Sequence, residues 1–278
     1  MTERHKIAAI QMASGPNLSA NLLEVEKLVT DAVDAGAKLV VLPENFAYMG
    51  ESDQEILKFK EAAGDGPLQK FLSQLASNNN IWVVGGTIPL EANNPDKIRS
   101  ACLVFNSEGE QVARYDKIHL FDVHLLETDE KYSESITIEP GEETVVFDSP
   151  FGRIGLAICY DLRFPEQFRN LIDEGMEIAI LPAAFTAQTG KAHWQPLIQT
   201  RAIENLSYVI ASAQGGYHIS GRETYGHSMI VDPWGTVLDT VVRGNGYAMG
   251  EIDLDLLNKT RRAFPALEHR QITCRIDD

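Results

Sequence analysis

The chain is poor in cysteine: it has three in 278 residues, Cys102, Cys159 and Cys274, and no CxxC pair. So sparse and odd a set excludes a disulfide framework, weighs against a cysteine zinc site and fits a reducing cytoplasm. No apolar run approaches the roughly 18 residues needed to span a membrane. The opening MTERHKIAAIQM holds too short an apolar stretch for a signal peptide and reads as a first strand. Basic residues are outnumbered, 24 Lys and Arg against 40 Asp and Glu, for a net charge of −16. Nucleic acid and anionic membrane would each need a basic face, so both are excluded as partners. A small anionic substrate is not, provided a few cations gather locally.

Several catalytic signatures are missing too. There is no Walker A loop, no GxSxG elbow and no HExxH pair. GNGYAMG only approaches a dinucleotide loop and reads as a turn before the last strand. His193 in AHW and His227 in YGHS read as residues satisfied by hydrogen bonds in packed loops, not as metal ligands. Low-complexity linkers and long charge runs do not occur.

What is present reads as a large α/β domain. Hydrophobic residues make up 44% and charged residues 23%, ordinary for a globular core of this length. Short apolar runs ended by turn residues predict strands at KIAAIQM, KLVVLPE, IWVVGGT, ACLVFN, TVVFD, RIGLAI, EIAILPA and SYVIASA. Helical spacing predicts a helix in SANLLEVEKLVTDAVDAG, with Ser19 as its cap and Gly36 at its end. Two more are predicted in FPEQFRNLIDEG, with Pro165 near the start, and KAHWQPLIQTRAIENL, with Pro196 as a kink or first-turn residue.

DAGAKLVVLPENF (from Asp34) is echoed half a chain later by DEGMEIAILPAAF (from Asp173). The echo suggests two similar α/β halves, and their difference is informative. After Leu-Pro the first copy has Glu44 and the second has Ala183. A carboxylate at the end of a buried strand is costly unless paired or working. Strand ends are also where α/β folds keep their ligands.

Cys159 ends the strand RIGLAI, shortly before the helix at Pro165. A free cysteine is usually a small buried hydrophobe, but a nearby helix amino terminus would favour thiolate. Cys102 sits inside an apolar strand and reads as core, and Cys274 has nothing around it to activate it. A cysteine nucleophile needs a proton acceptor and an oxyanion holder. Glu44 is a candidate base. Lys117 is a candidate cation, although by itself it reads by default as a solvated strand-end lysine.

LPENF, YDKIHLFD and ICYDLRFPE, in this order and spacing, resemble the three signature segments of the nitrilase, or carbon–nitrogen hydrolase, superfamily. The likeness runs from IAAIQM to GEIDLD. It implies an α/β fold of four layers, an α-β-β-α sandwich of two pseudo-similar halves. It also implies one domain over 1–278 and a homodimer or larger homo-oligomer. By resemblance Glu44 is general base and acid, Lys117 stabilises the tetrahedral oxyanion, and Cys159 is the nucleophile. The backbone amide of Tyr160 completes the oxyanion hole. A second family glutamate maps to Glu134 in YSESITIEPGEE, with Glu127, Glu130 and Glu139 close by. The chemistry is attack of sulfur on an amide, a thioester, and hydrolysis, with no metal or organic cofactor.

The second half resembles the Nit subgroup, and AQGGYHISGRETYGHSMIVDPWG its Nit1-like side. That likeness implies an amidase cleaving deaminated glutathione to 2-oxoglutarate and cysteinylglycine. The alternative is an ω-amidase on 2-oxoglutaramate or 2-oxosuccinamate, or a hydrolase of another small amide or N-carbamoyl group. Deaminated glutathione and the ω-amidase substrates carry an α-keto carboxylate, so cationic donors are expected. Arg163 and Arg222 are the candidates, with Phe185 and Thr186 as further substrate contacts; for Arg163 a structural ion pair reads as well. Gln195 stands where Nit-like proteins commonly have glutamate. A catalytically idle scaffold would be expected to lose Glu44, Lys117 or Cys159, and all three are present.

Overall fold

IAAI in the first strand is apolar at every position, the pattern of a strand covered on both faces, and all four residues are fully buried. The computed structural model describes residues 4–125 and 129–272, so Cys274 and Glu127 lie outside the described residues. The first half contains β1 (His5–Gln11), α1 (Leu18–Asp34), β2 (Ala37–Val41), α2 (Pro67–Asn79), β3 (Trp82–Val84), β4 (Ile88–Glu91), β5 (Ile98–Phe105) and β6 (Gln111–Asp116). A small hairpin follows, β7 (Asp122–Leu125) and β8 (Glu130–Ser133). The second half contains β9 (Val146–Ser149), β10 (Gly152–Leu156), α3 (Pro165–Asp173), β11 (Ile178–Ala183), α4 (Ala187–Asn205) and β12 (Tyr208–Ala213). A second hairpin, β13 (Gly215–Tyr217) and β14 (Glu223–Tyr225), precedes β15 (Ser228–Val231), β16 (Val237–Val241), β17 (Gly246–Ile252) and α5 (Leu254–Ala263).

One sheet runs β17-β1-β2-β3-β5-β4 with β6 on β5, and the other runs β16-β15-β12-β11-β10-β9. Each is built on a parallel trio, β1-β2-β3 and β10-β11-β12. Each trio has an antiparallel strand on its first member, β17 on β1 and β9 on β10. The echoed segments supply the middle strands β2 and β11, so the echo is a repeat of architecture.

Alternation along the strands sorts the core into layers. Ile7, Ala9, Leu39 and Val41 join Ile154, Leu156, Ile178 and Ile180 between the sheets. Ala8, Ile10, Val40 and Val83 face Val25, Leu28 and Val29 of α1 and Leu68, Leu72 and Leu75 of α2. Phe168 of α3 and Trp194, Ile198 and Ala202 of α4 extend the core on the other side. The order of layers is α-β-β-α.

Two local expectations change. The cap of α1 is Asn17, which accepts from the Ala20 amide at 3.0 Å, and not Ser19. The helix starts earlier because Leu18 and Leu22 both pack on the core. Thr186 caps α4, so Pro196 lies well inside that helix and not in its first turn.

Candidate active site

Glu44 follows β2 through Leu42 and Pro43, Lys117 follows β6 directly, and Cys159 follows β10. Three strand ends thus deliver the three side chains to one place. The Lys117 ammonium is fully buried, 2.8 Å from Glu44 Oε1 and 2.8 Å from Glu134 Oε2. Burial favours the neutral amine, but the charges of Glu134 and Glu44 outweigh it and hold the group well above the ordinary lysine range. Glu134 opens a single 3-10 turn, 134–136, and also accepts from the Phe121 amide at 2.8 Å. Its neighbours go elsewhere: Glu130 accepts from Tyr132, and Glu139 pairs with Arg99.

Cys159 is 7% exposed and has φ +48°, a left-handed conformation that costs a non-glycine residue on the order of 1–3 kcal/mol. It opens a 3-10 turn, 159–163. The Tyr160 amide belongs to the first residues of that turn and has no acceptor within it. The expected thiolate does not result. Burial, then the Glu44 charge, push the thiol well above the ordinary range, against the opposing pull of Lys117. A short turn amid carboxylates cannot offset that desolvation.

The strain at Cys159 is held by Asp161, a residue sequence reasoning missed. Its carboxylate is fully buried. It accepts from the Ile158 amide at 2.7 Å, the Tyr115 hydroxyl at 2.6 Å and the His119 amide at 3.1 Å, and Oδ1 lies 2.8 Å from His119 Nδ1. Tyr115 and His119 flank Lys117 in the chain, so one carboxylate ties the lysine segment to the cysteine turn. The signal in sequence was Asp161 itself, a charge inside a turn between buried elements.

The Glu44 segment is seated by backbone contacts. The Leu42 amide donates to the Val84 carbonyl at 2.9 Å. At Gly86 (φ +54°) a Cβ would stand 2.1 Å from the Pro43 carbonyl oxygen, so only bare backbone fits there. Gln214 Nε2 donates to the Glu44 carbonyl at 2.9 Å, joining the two halves of the chain.

Two cavities meet here. One, of about 260 Å³, is bounded by Cys159, Tyr160, Phe121, Arg163, Phe185 and Thr186, with Glu134 and Arg222. The other, of about 790 Å³ and open to solvent, is bounded by Tyr48, Met49, Asp53, Ile88 and Tyr132, again with Glu134 and Arg222. All four residues expected near substrate therefore surround the thiol. Arg163 lies over the Phe185 ring (5.3 Å to its centre), with Nη1 3.3 Å from His193 Nδ1. Arg222 lies over the Tyr132 ring at 5.1 Å and donates to the Ala184 carbonyl. Its buried Nε has no partner among the described residues. Among the described residues neither arginine reaches a carboxylate, so Arg163 is not the structural ion pair that was its alternative. Gln195 is exposed, beside Gln199, away from both cavities. His227 stacks on Tyr225 as a packed residue, whereas His193 is exposed on α4. Cys102 is core, as expected.

Two sheets between helices, with a buried cysteine, lysine and glutamate at the strand ends and a second, half-buried glutamate on the lysine, define a class of hydrolase. Residues 6–262 match the Carbon-nitrogen hydrolase family, and the chain belongs to it. Among its relatives, the deaminated glutathione amidase of Synechocystis is 43% identical over 266 residues, 95% of this chain and 97% of the relative. The human protein of the same name is 38% identical over 269 residues, covering 95% and 82%. Of solved structures, Saccharomyces cerevisiae Nit3, a member of branch 10 of the nitrilase superfamily, is similar with TM-score 0.87. It is 32% identical, with 97% of each chain covered.

Proposed function

We propose that the protein is an amidase that hydrolyses deaminated glutathione to 2-oxoglutarate and cysteinylglycine through a thioester on Cys159. The observation that carries this reading is the pair of cavities sharing Glu134 and Arg222. A primary amide sheds ammonia and needs no room beyond the bond that breaks. A secondary amide needs a place for its leaving group, and the second cavity, open to solvent beside Glu134 and Arg222, offers one. The names of the relatives support the same substrate.

Lys117 bonds one oxygen of Glu44, leaving the other for the thiol proton. Glu44 takes that proton as sulfur attacks the carbonyl. Lys117 and the Tyr160 amide hold the oxyanion. Glu44 gives the proton to the departing nitrogen, which releases cysteinylglycine and leaves a thioester. It then takes a proton from water, and hydroxyl attack releases 2-oxoglutarate while the proton returns to sulfur. Glu134, with both oxygens on Lys117, keeps the ammonium aimed and charged. Arg222 and Arg163 meet the carboxylates of the substrate, beside Phe185 and Thr186. The whole chain acts as one hydrolase domain and assembles as a homo-oligomer. Reduced Cys102 and Cys159 support a cytoplasmic setting.

The test is release of 2-oxoglutarate from deaminated glutathione, with Cys159→Ala as control. Fast release that depends on Cys159 supports the reading. Preference for 2-oxoglutaramate would move the protein to the ω-amidases, and turnover by Cys159→Ala would remove the nucleophile.

A further inference from the structure

His218 is 6% exposed and has no part in the chemistry above. Its Nδ1 lies 2.8 Å from the Ser14 carbonyl oxygen, and its Nε2 lies 2.8 Å from Thr224 Oγ1. A carbonyl only accepts, so Nδ1 carries the proton; in the neutral ring Nε2 accepts from the Thr224 hydroxyl, which also lies 3.3 Å from the Gly216 carbonyl oxygen. Burial pushes the imidazole below its ordinary range, in keeping with a neutral ring.

The position of Ser14 makes this bond more than local. Ser14 and Gly15 form a bracket after β1 that fastens one wall of the larger cavity. Ser14 Oγ donates to the Phe46 carbonyl at 2.8 Å, and the Met49 amide donates to the Gly15 carbonyl at 3.1 Å. Gln214 bonds both Ser14 and the Glu44 carbonyl. The facing wall is the tip of the β13–β14 hairpin, where the His218 amide donates to the Arg222 carbonyl at 2.9 Å. His218 and Arg222 thus stand opposite each other at the tip. Of the two, His218 has its side chain on the bracket. Arg222 turns the other way, toward Ala184 and Tyr132.

We infer that His218 is a positioning residue: its Nδ1–H bond to Ser14 holds the hairpin at the distance from the Glu44 segment that places the Arg222 guanidinium beside Cys159. The inference rests on the reading of Arg222 as the cation that meets substrate carboxylate. Without the bond, the hairpin swings on its β14 contacts and Arg222 leaves the site, while Cys159, Lys117 and Glu44 stay in place on their own strands. The loss falls on recognition of negative charge and spares the sulfur.

The experiment compares two alkylating agents on Cys159 of the full chain, iodoacetate with a negative charge and iodoacetamide with none. The Cys159 peptide is quantified by mass. Their rate ratio reports the cationic field at the thiol independently of turnover. In Arg222→Ala the iodoacetate to iodoacetamide ratio falls about tenfold, the scale of one lost charge contact near a protein surface. His218→Ala and His218→Gln show a similar fall. His218→Asn, whose amide nitrogen takes the place of Nδ1, stays within about twofold of the unmodified protein. Should His218→Ala fail to fold, the Asn and Gln variants decide. A normal ratio in His218→Gln beside a reduced one in Arg222→Ala overturns the inference alone. A reduced ratio in His218→Asn overturns the Ser14 bond as the tether. A normal ratio in Arg222→Ala overturns the reading of Arg222 and the inference with it.

Discussion

Lys117 Nζ lies 2.8 Å from Glu44 Oε1, and the lysine is fully buried. Two carboxylates therefore depend on one ammonium inside the protein. Removing it strands Glu44 and Glu134 as uncompensated charges. Lys117→Ala is expected to lower the free energy of unfolding by about 3–5 kcal/mol, the usual effect of breaking a buried pair. Where the variant remains folded, kcat collapses with KM little changed. Urea melts and steady-state kinetics check both; a loss confined to KM would contradict the oxyanion role.

Cys159 is held as a thiol first by burial and then by the Glu44 charge. Neutralising Glu44 removes one of the forces that raise the thiol. Glu44→Gln should therefore lose turnover, yet its Cys159 should react faster with iodoacetamide at pH 8, because the thiolate fraction rises as the pKa falls. Slower alkylation in that variant would mean that Glu44 acts on the thiol mainly as a proton acceptor.

Gly86 offers a test remote from the chemistry. A Cβ there meets the Pro43 carbonyl at 2.1 Å with φ at +54°. Gly86→Ala should cost more than about 1 kcal/mol in stability and displace Glu44, lowering kcat without altering the Cys159 side of the site. A variant with full kcat and an unchanged melting temperature would show that the segment yields easily.

His218 is neutral in the fold because burial lowers its affinity for a proton, with an ordinary value of 6.5 as reference. The unfolded chain binds that proton below about 6.5 and the folded chain does not until the pH is lower. This contribution to stability is thus complete above that pH and is lost as the pH falls below it. His218→Asn has no such proton to bind, so its melting temperature should decline less between pH 7 and 5. Parallel declines in the two proteins would count against a buried neutral imidazole.

Much of the fold was legible because apolar patterning is local. All eight strand segments read from short apolar runs form strands, and the echo located the two middle ones. Within that echo, the contrast of Glu44 with Ala183 was enough to single out a carboxylate in need of a partner. The polar scaffold was illegible for the opposite reason. His218 and Ser14 are 204 residues apart, Gln214 and Glu44 170, and Tyr115 and Asp161 46. A hydrogen bond is specified by where two distant segments come to rest, and nothing in either segment names its partner.

By itself the sequence determined the layered α/β class, the two similar halves and the strand ends bearing Glu44, Lys117 and Cys159. The class, the halves and the strand ends at Glu44 and Cys159 follow from the spacing of apolar residues and from where each run stops, whereas the layering and the part given to Lys117 rested on the resemblance of the signature segments. The resemblance pointed to Glu134, and the tertiary structure put its carboxylate on Lys117 while Glu130 and Glu139 pair elsewhere. Only the tertiary structure showed Arg163 and Arg222 without a carboxylate partner among the described residues, and a Cys159 thiol pushed up by burial and by the Glu44 charge. Charge state and pairing depend on burial and on neighbours brought together by packing, and those are properties of the folded chain as a whole.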